Sequence, residues 1–587
     1  MKRFLLLFVL ILTSCKSLEQ KTASQVILAS DVAARSADAP VEATGKRFAI
    51  STQGKHASLA AKEIFDHGGN IIDAFVAASF VISVERPHST GIGGGGFLVF
   101  HDATSGKNYA VDFRERAPMK ASEKMFQDKQ GQVVTRRSLD GVLAAAVPGL
   151  VAGLYEIHQK FGHLPWKDVL APAIRVAEEG FVVYRSFHSA MQSRAPILRD
   201  DPEARKIFLD AKGEPWPIGS LFKQPELAKT LRLIAEKGRD GFYHGRVAQQ
   251  LESLMQKQHG LITAEDLARY RVRWREPLQG SFDGYQVYSM PPPSSGGVHV
   301  LQFLNTLEDD HLSKDGFLSV PAIHLAAGAL QLAFADRARY LGDPDFVKVP
   351  VAELISKSYA KQRRALIPAD RALKANEVHA GDIPGFSTSE NSSKESNETT
   401  HMSLIDSDGN AVASTQTING WLGAAVVVPG TGVLLNNEMD DFSAKTGASN
   451  MFGAIGGPAN SVAPGKAPLS AMSPTILLKD GKVVLSVGAP GGTRIISCVA
   501  QTILNWAEFK LPLRESVAAV RYHHQWQPDV LTIDPPGPAT ATLKKLTEMG
   551  YNVDIGDVPC NVMAAERVGD QLHAVADPRD VGTSAAE

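Results

Sequence analysis

The spacing of apolar residues differs between the two parts of the chain. In the first two thirds, apolar residues recur at helical spacing in segments that end at or just before a glycine, which readily adopts the left-handed conformation found after a helix. These segments are 56–65, 149–161, 168–179 and 322–341. The pattern predicts a mostly helical region from about residue 47 to about residue 380, with short β-like runs between the helices.

From residue 399 onward the pattern favours strands. Residues 402–405 and 411–418 are separated by the turn-forming sequence Asp-Ser-Asp-Gly-Asn, and a second hairpin is predicted around 479–482. A calcium-binding loop would need glycine at position 411, where this chain has alanine, so the turn is the better interpretation. A strand-rich last third packed on helices predicts an α/β sandwich of layers.

The first residues have the character of a targeting segment. Lys2 and Arg3 precede nine apolar residues, 4–12, which are too few to span a membrane as a helix but are typical of a secretory signal. Residues 12–15, Leu-Thr-Ser-Cys, resemble a bacterial lipobox, in which the signal is removed and the cysteine is acylated; the alternative is an ordinary signal peptide with an incidental Cys15. We expect export and a lipid anchor on Cys15 that holds the protein to the bacterial cell envelope, facing the periplasm.

Two polar segments divide the rest of the chain. With residues 1–14 as the lipoprotein signal peptide, residues 15–46 predict a tether between the anchor and the folded body. Residues 381–398 have almost no apolar content, and they predict a flexible linker at the end of a large piece, 47–398. The small piece is 399–587.

Composition excludes several classes of protein. The 61 Lys and Arg residues nearly balance the 63 Asp and Glu residues, which gives no support to a nucleic-acid-binding protein. Three cysteines cannot form a disulfide scaffold, and without CxxC or HExxH motifs a zinc site has no support. Residues 91–96 match GxGxxG, but a helix is predicted before them and a strand after them, the reverse of a dinucleotide-binding unit. We therefore expect neither cofactor nor metal, and we expect these glycines to allow close backbone packing.

A candidate nucleophile, Thr399, stands where the polar linker meets the first strand. A threonine hydroxyl is a weak nucleophile without a neighbouring base. If the bond between Glu398 and Thr399 is cut, the new α-amine, with a pKa near ~7.7–8.0, can act as that base. In an unbroken chain the same nitrogen is an amide, so cleavage would create nucleophile and base in one step. Most threonines before a strand have no such role, and the position alone does not establish it.

The motifs around Thr399 and throughout the large piece closely resemble the γ-glutamyltransferase (γ-glutamyltranspeptidase) family, over residues 47–580 and in the same order. They are GIGGGGF at 91–97, DFRE at 112–115, MPPPSSGG at 290–297, YLGDPDF at 340–346, TTH at 399–401, LLNNEMDDF at 434–442, PLSAMSPT at 468–475, GAPGGTR at 488–494, RYHHQW at 521–526 and ADPR at 576–579.

The resemblance implies a four-layer αββα sandwich of the N-terminal-nucleophile hydrolase type. It also implies autocatalytic cleavage before Thr399, so that 15–398 and 399–587 become the large and small subunits of one intertwined body. The implied activity is that of a glutathione hydrolase: the γ-glutamyl group of glutathione or a related compound moves to Thr399 and then to water, an amino acid or a short peptide.

The resemblance also assigns a pocket for the zwitterionic end of the glutamyl group. Arg114 would bind the α-carboxylate bidentately, the geometry that guanidinium favours, and Ser470 would donate a further hydrogen bond to it. Asn419, Glu438 and Asp441 would hold the α-ammonium.

Three further residues would serve the chemistry itself. Gly491 and Gly492 would offer backbone N–H donors to an oxyanion, because residues without side chains let the backbone come close. Thr417 would hydrogen-bond to the nucleophile and assist cleavage.

Singly, these residues have simpler interpretations. Arg114 next to Glu115 suggests a surface ion pair, Asp441 a solvated loop or helix cap, and the glycine pair a turn. Two other functions remain open. A cephalosporin (glutaryl) acylase would keep the nucleophile, and Ala471, where the family usually has a second serine, motivates it. An inactive anchored binding protein would keep only the fold; the intact Thr399 argues against it.

Overall fold

The computed structural model describes residues 40–386, 399–443 and 458–587. Its strands are β1 (Glu42–Gly45), β2 (Phe48–Thr52), β3 (Gly95–Asp102), β4 (Lys107–Phe113), β5 (Phe181–Val182), β6 (Leu221–Phe222), β7 (Arg273–Arg275), β8 (Leu278–Phe282), β9 (Tyr285–Ser289), β10 (Thr400–Asp406), β11 (Ala411–Thr417), β12 (Val427–Val428), β13 (Val433–Leu434), β14 (Thr475–Lys479), β15 (Lys482–Gly488), β16 (Tyr522–His523), β17 (Leu531–Ile533), β18 (Val553–Ile555), β19 (Met563–Val568), β20 (Gln571–Ala576) and β21 (Thr583–Ala586).

The α-helices lie mainly before residue 365. They are Lys55–Asp66, Ile71–Glu85, Leu150–Phe161, Trp166–Glu179, Arg185–Leu198, Pro202–Phe208, Pro225–Lys237, Asp240–Tyr243, Gly245–Gln258, Ala264–Arg269, Gly296–Leu307, Val320–Tyr340, Val351–Leu354, Lys357–Arg364, Arg494–Ala507, Leu513–Ala518 and Thr540–Glu548. The predicted helices are present; the one predicted at 168–179 ends before Gly180, whose φ of 88° is left-handed. None of the helices in the described ranges is long and apolar enough to cross a bilayer.

Two seven-stranded antiparallel sheets form the centre. The first has the order β21-β2-β10-β11-β3-β4-β7, and the second has the order β1-β20-β19-β15-β14-β9-β8. Both sheets contain strands from before and after residue 399, so the two predicted pieces cannot be separate domains. The last third is rich in strands, as predicted, but strands from the first part of the chain also join both central sheets.

The sheets pack face to face and helices cover both outer faces. Every residue of β10 and β11 is buried, as expected for strands covered on both sides. Helices Ile71–Glu85 and Leu150–Phe161 pack on the first sheet, and helices Gly296–Leu307 and Arg494–Ala507 pack on the second. The predicted four-layer αββα sandwich is therefore confirmed.

The structure differs from the predicted tether at its end. Residues 42–45 form β1, which pairs with β20 from Glu42↔Val575 to Gly45↔Leu572. Backbone pairing with the sheet edge orders these residues despite their polar surroundings in the sequence. Cys15, the signal segment and most of the tether lie outside the described residues, as does most of the linker, 387–398.

Candidate active site

The β10–β11 hairpin places Thr399 opposite Thr417. The register pairs Thr400 with Gln416, and one further step along it sets Thr399 beside the last residue of β11. Both threonines are buried, at 5% and 3% exposure, and the Thr417 hydroxyl accepts a hydrogen bond from the Asn419 N–H at 2.8 Å. A hydrogen bond between the two hydroxyls stays a prediction.

The glycine-rich segment 91–96 lies against this hairpin. β3 pairs with β11, with Gly95 opposite Thr417, and a Cβ on Gly94 would lie 2.0 Å from the Thr417 carbonyl oxygen. Only glycine permits so close an approach. The prediction of close backbone packing is confirmed, and the segment brings the end of β4, and hence Arg114, to the edge of the sheet that carries Thr399.

Arg114 lies at the centre of a buried cluster of carboxylates. Its Nη2 donates to Asp441 Oδ2 at 2.6 Å, its Nη1 donates to Glu438 Oε1, and Glu115 Oε2 lies 3.8 Å from Nη1. Arg114 is only 1% exposed and Glu115 is fully buried, so the surface ion pair is wrong. Glu438 and Asp441 are predicted to bind the ammonium group of the substrate, and Arg114 its carboxylate. In this structure they are paired with each other.

The cluster holds three carboxyl groups around one guanidinium, and burial opposes the ionisation of these carboxyl groups. Burial raises the pKa of Glu115 to about 7 and raises the pKa of both Glu438 and Asp441, while Arg114 opposes each rise. Such a cluster favours an incoming cationic group, because an ammonium would balance the excess of carboxylates.

A pH effect on stability follows from Glu115. A carboxyl group whose pKa is higher in the folded than in the unfolded protein stabilises the fold below its ordinary value of 4.5, and this stabilisation is lost as the pH rises through about 7. We expect the wild-type Tm to fall from pH ~5 to ~8 more steeply than the Tm of Glu115→Gln, whose side chain cannot ionise. Circular dichroism melts across that range test this, with Glu178→Gln, in an exposed ion pair with Arg232, as control. Equal slopes for wild type and Glu115→Gln would contradict it.

Asn419 follows β11 in a backbone conformation that few residues other than glycine adopt, with φ of 71°. Its Nδ2 donates to the Asn437 carbonyl oxygen at 2.8 Å, and Asn437 Oδ1 accepts from the Gly420 N–H at 2.8 Å. These bonds fasten the end of the hairpin to the 3₁₀ turn Glu438–Asp441, so the residues predicted to bind the ammonium are held together.

Ser470 lies on a segment that pairs in space with residues 293–295 of the MPPPSSGG motif. Its N–H donates to the Pro293 carbonyl oxygen at 2.9 Å, and its hydroxyl accepts from the Met472 N–H at 3.1 Å. Accepting that bond leaves the Ser470 hydroxyl proton available for donation to a ligand.

The glycine pair lies between β15 and helix Arg494–Ala507. Gly491 has φ of 131° and Gly492 has φ of 59°, so both positions favour glycine. A Cβ on Gly491 would lie 2.4 Å from the Pro559 carbonyl oxygen. The chain therefore turns sharply here, at the cavity that Thr399 lines.

One cavity is lined by most of the predicted residues. Its lining includes Arg114, Thr399, Thr417, Asn419, Glu438, Asp441, Ser470 and Gly492. Gly491 is the neighbour of a lining residue but is not itself among them, and Glu398 lies outside the described residues. Met472 and Ile495 also line the cavity, and neither was predicted as a site residue, because no sequence pattern distinguishes them from core residues.

His401, although it follows the two threonines, belongs to the core. Its ring bonds to Thr415 Oγ1 at 2.8 Å and Ser403 Oγ at 3.0 Å, and burial lowers its pKa to about 3. It is therefore neutral at working pH and packs between the sheets, against Gly488.

The αββα sandwich, with a threonine immediately before a central strand and at the wall of a polar cavity, defines the class of N-terminal-nucleophile hydrolases. The family model described as gamma-glutamyltranspeptidase matches residues 57–587. The chain belongs to the γ-glutamyltranspeptidase family. The prediction of a γ-glutamyltransferase and hydrolase enzyme is confirmed at this level.

Individual relatives agree with this assignment. The glutathione hydrolase proenzyme of Escherichia coli (strain K12) is 42% identical over 543 residues, 92% of this chain and 92% of that protein. The acylase ACY 1 proenzyme of Pseudomonas sp. (strain SE83) is 40% identical over 485 residues, 82% of this chain and 83% of that protein. The solved cephalosporin acylase from Bacillus halodurans matches with a TM-score of 0.80 at 27% identity, covering 93% of this chain and 97% of that chain.

Proposed function

We propose that the chain cleaves itself between Glu398 and Thr399 and then hydrolyses or transfers the γ-glutamyl group of glutathione and related compounds. The observation that carries the proposal is the shared cavity: Thr399, immediately before β10, lines the same space as Arg114 and the Glu438–Asp441 turn. Nucleophile and zwitterion pocket are thus within one small substrate's length of each other.

The reaction proceeds in two balanced steps. The Thr399 hydroxyl oxygen bonds to the γ-carbonyl carbon of the substrate, and the hydroxyl proton passes to the α-amine of Thr399. The oxyanion that forms accepts hydrogen bonds from the N–H groups at Gly491 and Gly492. The carbon–nitrogen bond then breaks, and the leaving amine takes the proton. Water, or the amine of an amino acid or peptide, attacks the resulting ester and restores the threonine hydroxyl.

Glutamyl recognition divides between the two charges on the α-carbon. The α-carboxylate exchanges into the coordination of Arg114 and accepts a hydrogen bond from Ser470. The α-ammonium replaces the guanidinium as partner of Asp441 and Glu438, with Asn419 beside them. Together the two exchanges leave the total charge of the cluster unchanged, because the carboxylate and the ammonium enter as one zwitterion.

A glutaryl acylase is the second candidate, favoured by the relationship to an acylase proenzyme and by Ala471. A glutaryl group lacks the ammonium and would leave Glu438 and Asp441 facing a methylene group. In addition, Ser470 and Met472 line the cavity, whereas Ala471, between them, does not. The absence of a hydroxyl at position 471 therefore changes the cavity wall little.

Comparison of two anilides tests the choice. We expect γ-glutamyl-p-nitroanilide to be hydrolysed with a kcat/KM at least about 100-fold above that for glutaryl-p-nitroanilide, because a buried ion pair with the ammonium is lost in the second substrate. A preference for the glutaryl compound would replace the first function by the second. No turnover of either by purified, cleaved protein would favour the inactive protein.

We also propose that the protein is exported and held to the cell envelope by lipid on Cys15. The disulfide bond between Cys498 and Cys560 supports export, since such bonds persist in oxidising compartments. It also shows that three cysteines, too few for a scaffold, still allow one bond across 62 residues. Membrane fractionation tests the anchor: Cys15→Ser should move the protein to the soluble fraction, and retention in the membrane would refute it.

A further inference from the structure

A second arginine, Arg337, is buried behind the substrate pocket. It lies in the last turn of helix Val320–Tyr340 and is only 1% exposed. Burying a guanidinium group is costly unless its donors are satisfied and its charge is balanced. The partners of Arg337 therefore indicate which part of the protein this buried guanidinium stabilises.

One of these contacts reaches the pocket through a single hydroxyl. Arg337 Nε donates to Ser295 Oγ at 2.9 Å, and Ser295 Oγ donates to the Ser470 carbonyl oxygen at 2.7 Å. The Ser295 N–H donates to the same carbonyl oxygen at 2.7 Å. Because a hydroxyl that accepts from a cation becomes a better donor, Arg337 strengthens the bond that Ser295 makes to Ser470.

The neighbouring residues extend this support into a parallel pair of segments. Ser294 forms a bridge with Ser470, and Ser294 Oγ donates to the Met472 carbonyl oxygen at 2.6 Å. Hydrogen bonds from residues 293–295 thus hold the cavity wall from Ser470 to Met472 in place, and Arg337 in turn holds Ser295. A change at Arg337 would shift the Ser470 hydroxyl without touching the nucleophile.

Arg337 also contributes charge to the pocket. Burial raises the pKa of Asp441, and Arg114 and Arg337 both oppose that rise, so the second guanidinium favours the ionised carboxylate that an ammonium requires. Arg337 thus positions Ser470 on the carboxylate-binding side of the pocket, and its charge acts on Asp441 on the ammonium-binding side.

We propose that Arg337 is a positioning residue for the glutamyl group, which acts through Ser295 on Ser470 and through its charge on Asp441. The inference rests on the proposed γ-glutamyl function. It assigns to Arg337 a role in substrate affinity rather than in the acyl-transfer step, because the contacts described above lead to Ser470 and Asp441, which bind the glutamyl group.

Steady-state kinetics with γ-glutamyl-p-nitroanilide test this division. Arg337→Met should raise KM about tenfold and leave kcat within about twofold, which corresponds to the loss of one charge-assisted hydrogen bond. Arg337→Lys should recover part of the affinity, since it keeps the charge but not the fixed donor geometry. Cleavage before Thr399 reports in every variant that the chain has folded.

A double-mutant cycle distinguishes positioning from general stabilisation. Ser295→Ala should raise KM about threefold to fivefold, and adding it to Arg337→Met should cause little further rise, because both changes interrupt one chain of hydrogen bonds. Arg339→Met is the matched control: two residues along the same helix, Arg339 pairs with the exposed Asp382 at 3.3 Å, and its replacement should leave KM unchanged.

Each other outcome overturns the inference. Cleaved Arg337 variants with wild-type KM would remove Arg337 from recognition, and equal losses in kcat at unchanged KM would assign it to the chemical step instead. If Arg337→Met does not fold, Arg337→Lys and Ser295→Ala decide the question by the same criteria. Wild-type enzyme that fails to hydrolyse the γ-glutamyl anilide would overturn the proposed function as well, and an active wild type with unaffected variants would overturn this inference alone.

Discussion

Thr399→Ala is expected to yield a single uncleaved chain without γ-glutamyl hydrolase activity. The substitution removes the hydroxyl that attacks the acyl group, and without it the bond after Glu398 is not broken, so the amine base never forms. We expect activity to fall by at least about 10⁴-fold, to the level of the uncatalysed reaction or of traces of contaminating enzyme. A denaturing gel and the anilide assay measure the two effects separately: one band in place of two, and no release of nitroaniline.

The adjacent threonine provides a matched control. Thr400 is fully buried, and its Oγ1 has no hydrogen-bond partner among the described residues. Thr400→Val therefore removes a hydroxyl from the same strand without an expected loss of hydrogen bonding, and the chain should still cleave and remain active. Cleavage and activity in Thr399→Ala, or loss of both in Thr400→Val alone, would transfer the role of nucleophile away from Thr399.

The catalytic hairpin could be predicted from the sequence because its determinants are local. Two strand-like runs separated by a five-residue turn between positions 405 and 411 predict β10 and β11, and the observed strands match the prediction to within two residues. The long motifs that surround the hairpin pointed to the family and hence to the sandwich. Sequence patterns of this kind do not specify which distant segments pair with the hairpin.

The neighbours of the hairpin depend on contacts across the chain. Ser414 Oγ donates to the carbonyl oxygen of Phe97, 317 residues earlier. No periodicity in the sequence predicts such a distant partner. For the same reason the helices of the large piece could be predicted, but not that this piece supplies four strands of one central sheet and two of the other, to which the predicted tether adds β1.

Burial is the other property that the sequence did not provide. Arg114 beside Glu115 and the pair Asp440–Asp441 are ordinary surface patterns in a sequence, yet all four residues are at most 5% exposed. Their burial follows from the convergence of β4 with the Glu438–Asp441 turn, which is a tertiary event. The apolar lining residues Met472 and Ile495 could not be distinguished from core residues for the same reason.

Two substitutions should separate the recognition of the two charges on the glutamyl group. Arg114→Lys keeps the positive charge but loses the bidentate geometry, so kcat/KM should fall about 100- to 1000-fold for γ-glutamyl-p-nitroanilide, and by a similar factor for glutaryl-p-nitroanilide, which carries the same carboxylate. Asp441→Asn removes a partner of the ammonium, which the glutaryl compound lacks. Its loss should therefore be about 100-fold for the γ-glutamyl substrate and less than about threefold for the glutaryl one.

The pattern across the four measurements carries the conclusion, because each variant alone could lose activity through altered folding. Cleavage before Thr399 identifies folded material. Arg273 lies on β7, the neighbour of β4, in an exposed pair with Asp345, and Arg273→Lys controls for loss of a surface guanidinium. If Asp441→Asn impaired both anilides equally, Asp441 would act by orienting Arg114, to which it is bonded at 2.6 Å, and not by binding the ammonium. If Arg114→Lys spared the glutaryl anilide, the carboxylate would be bound elsewhere, and the division of charge in this pocket would have to be reassigned.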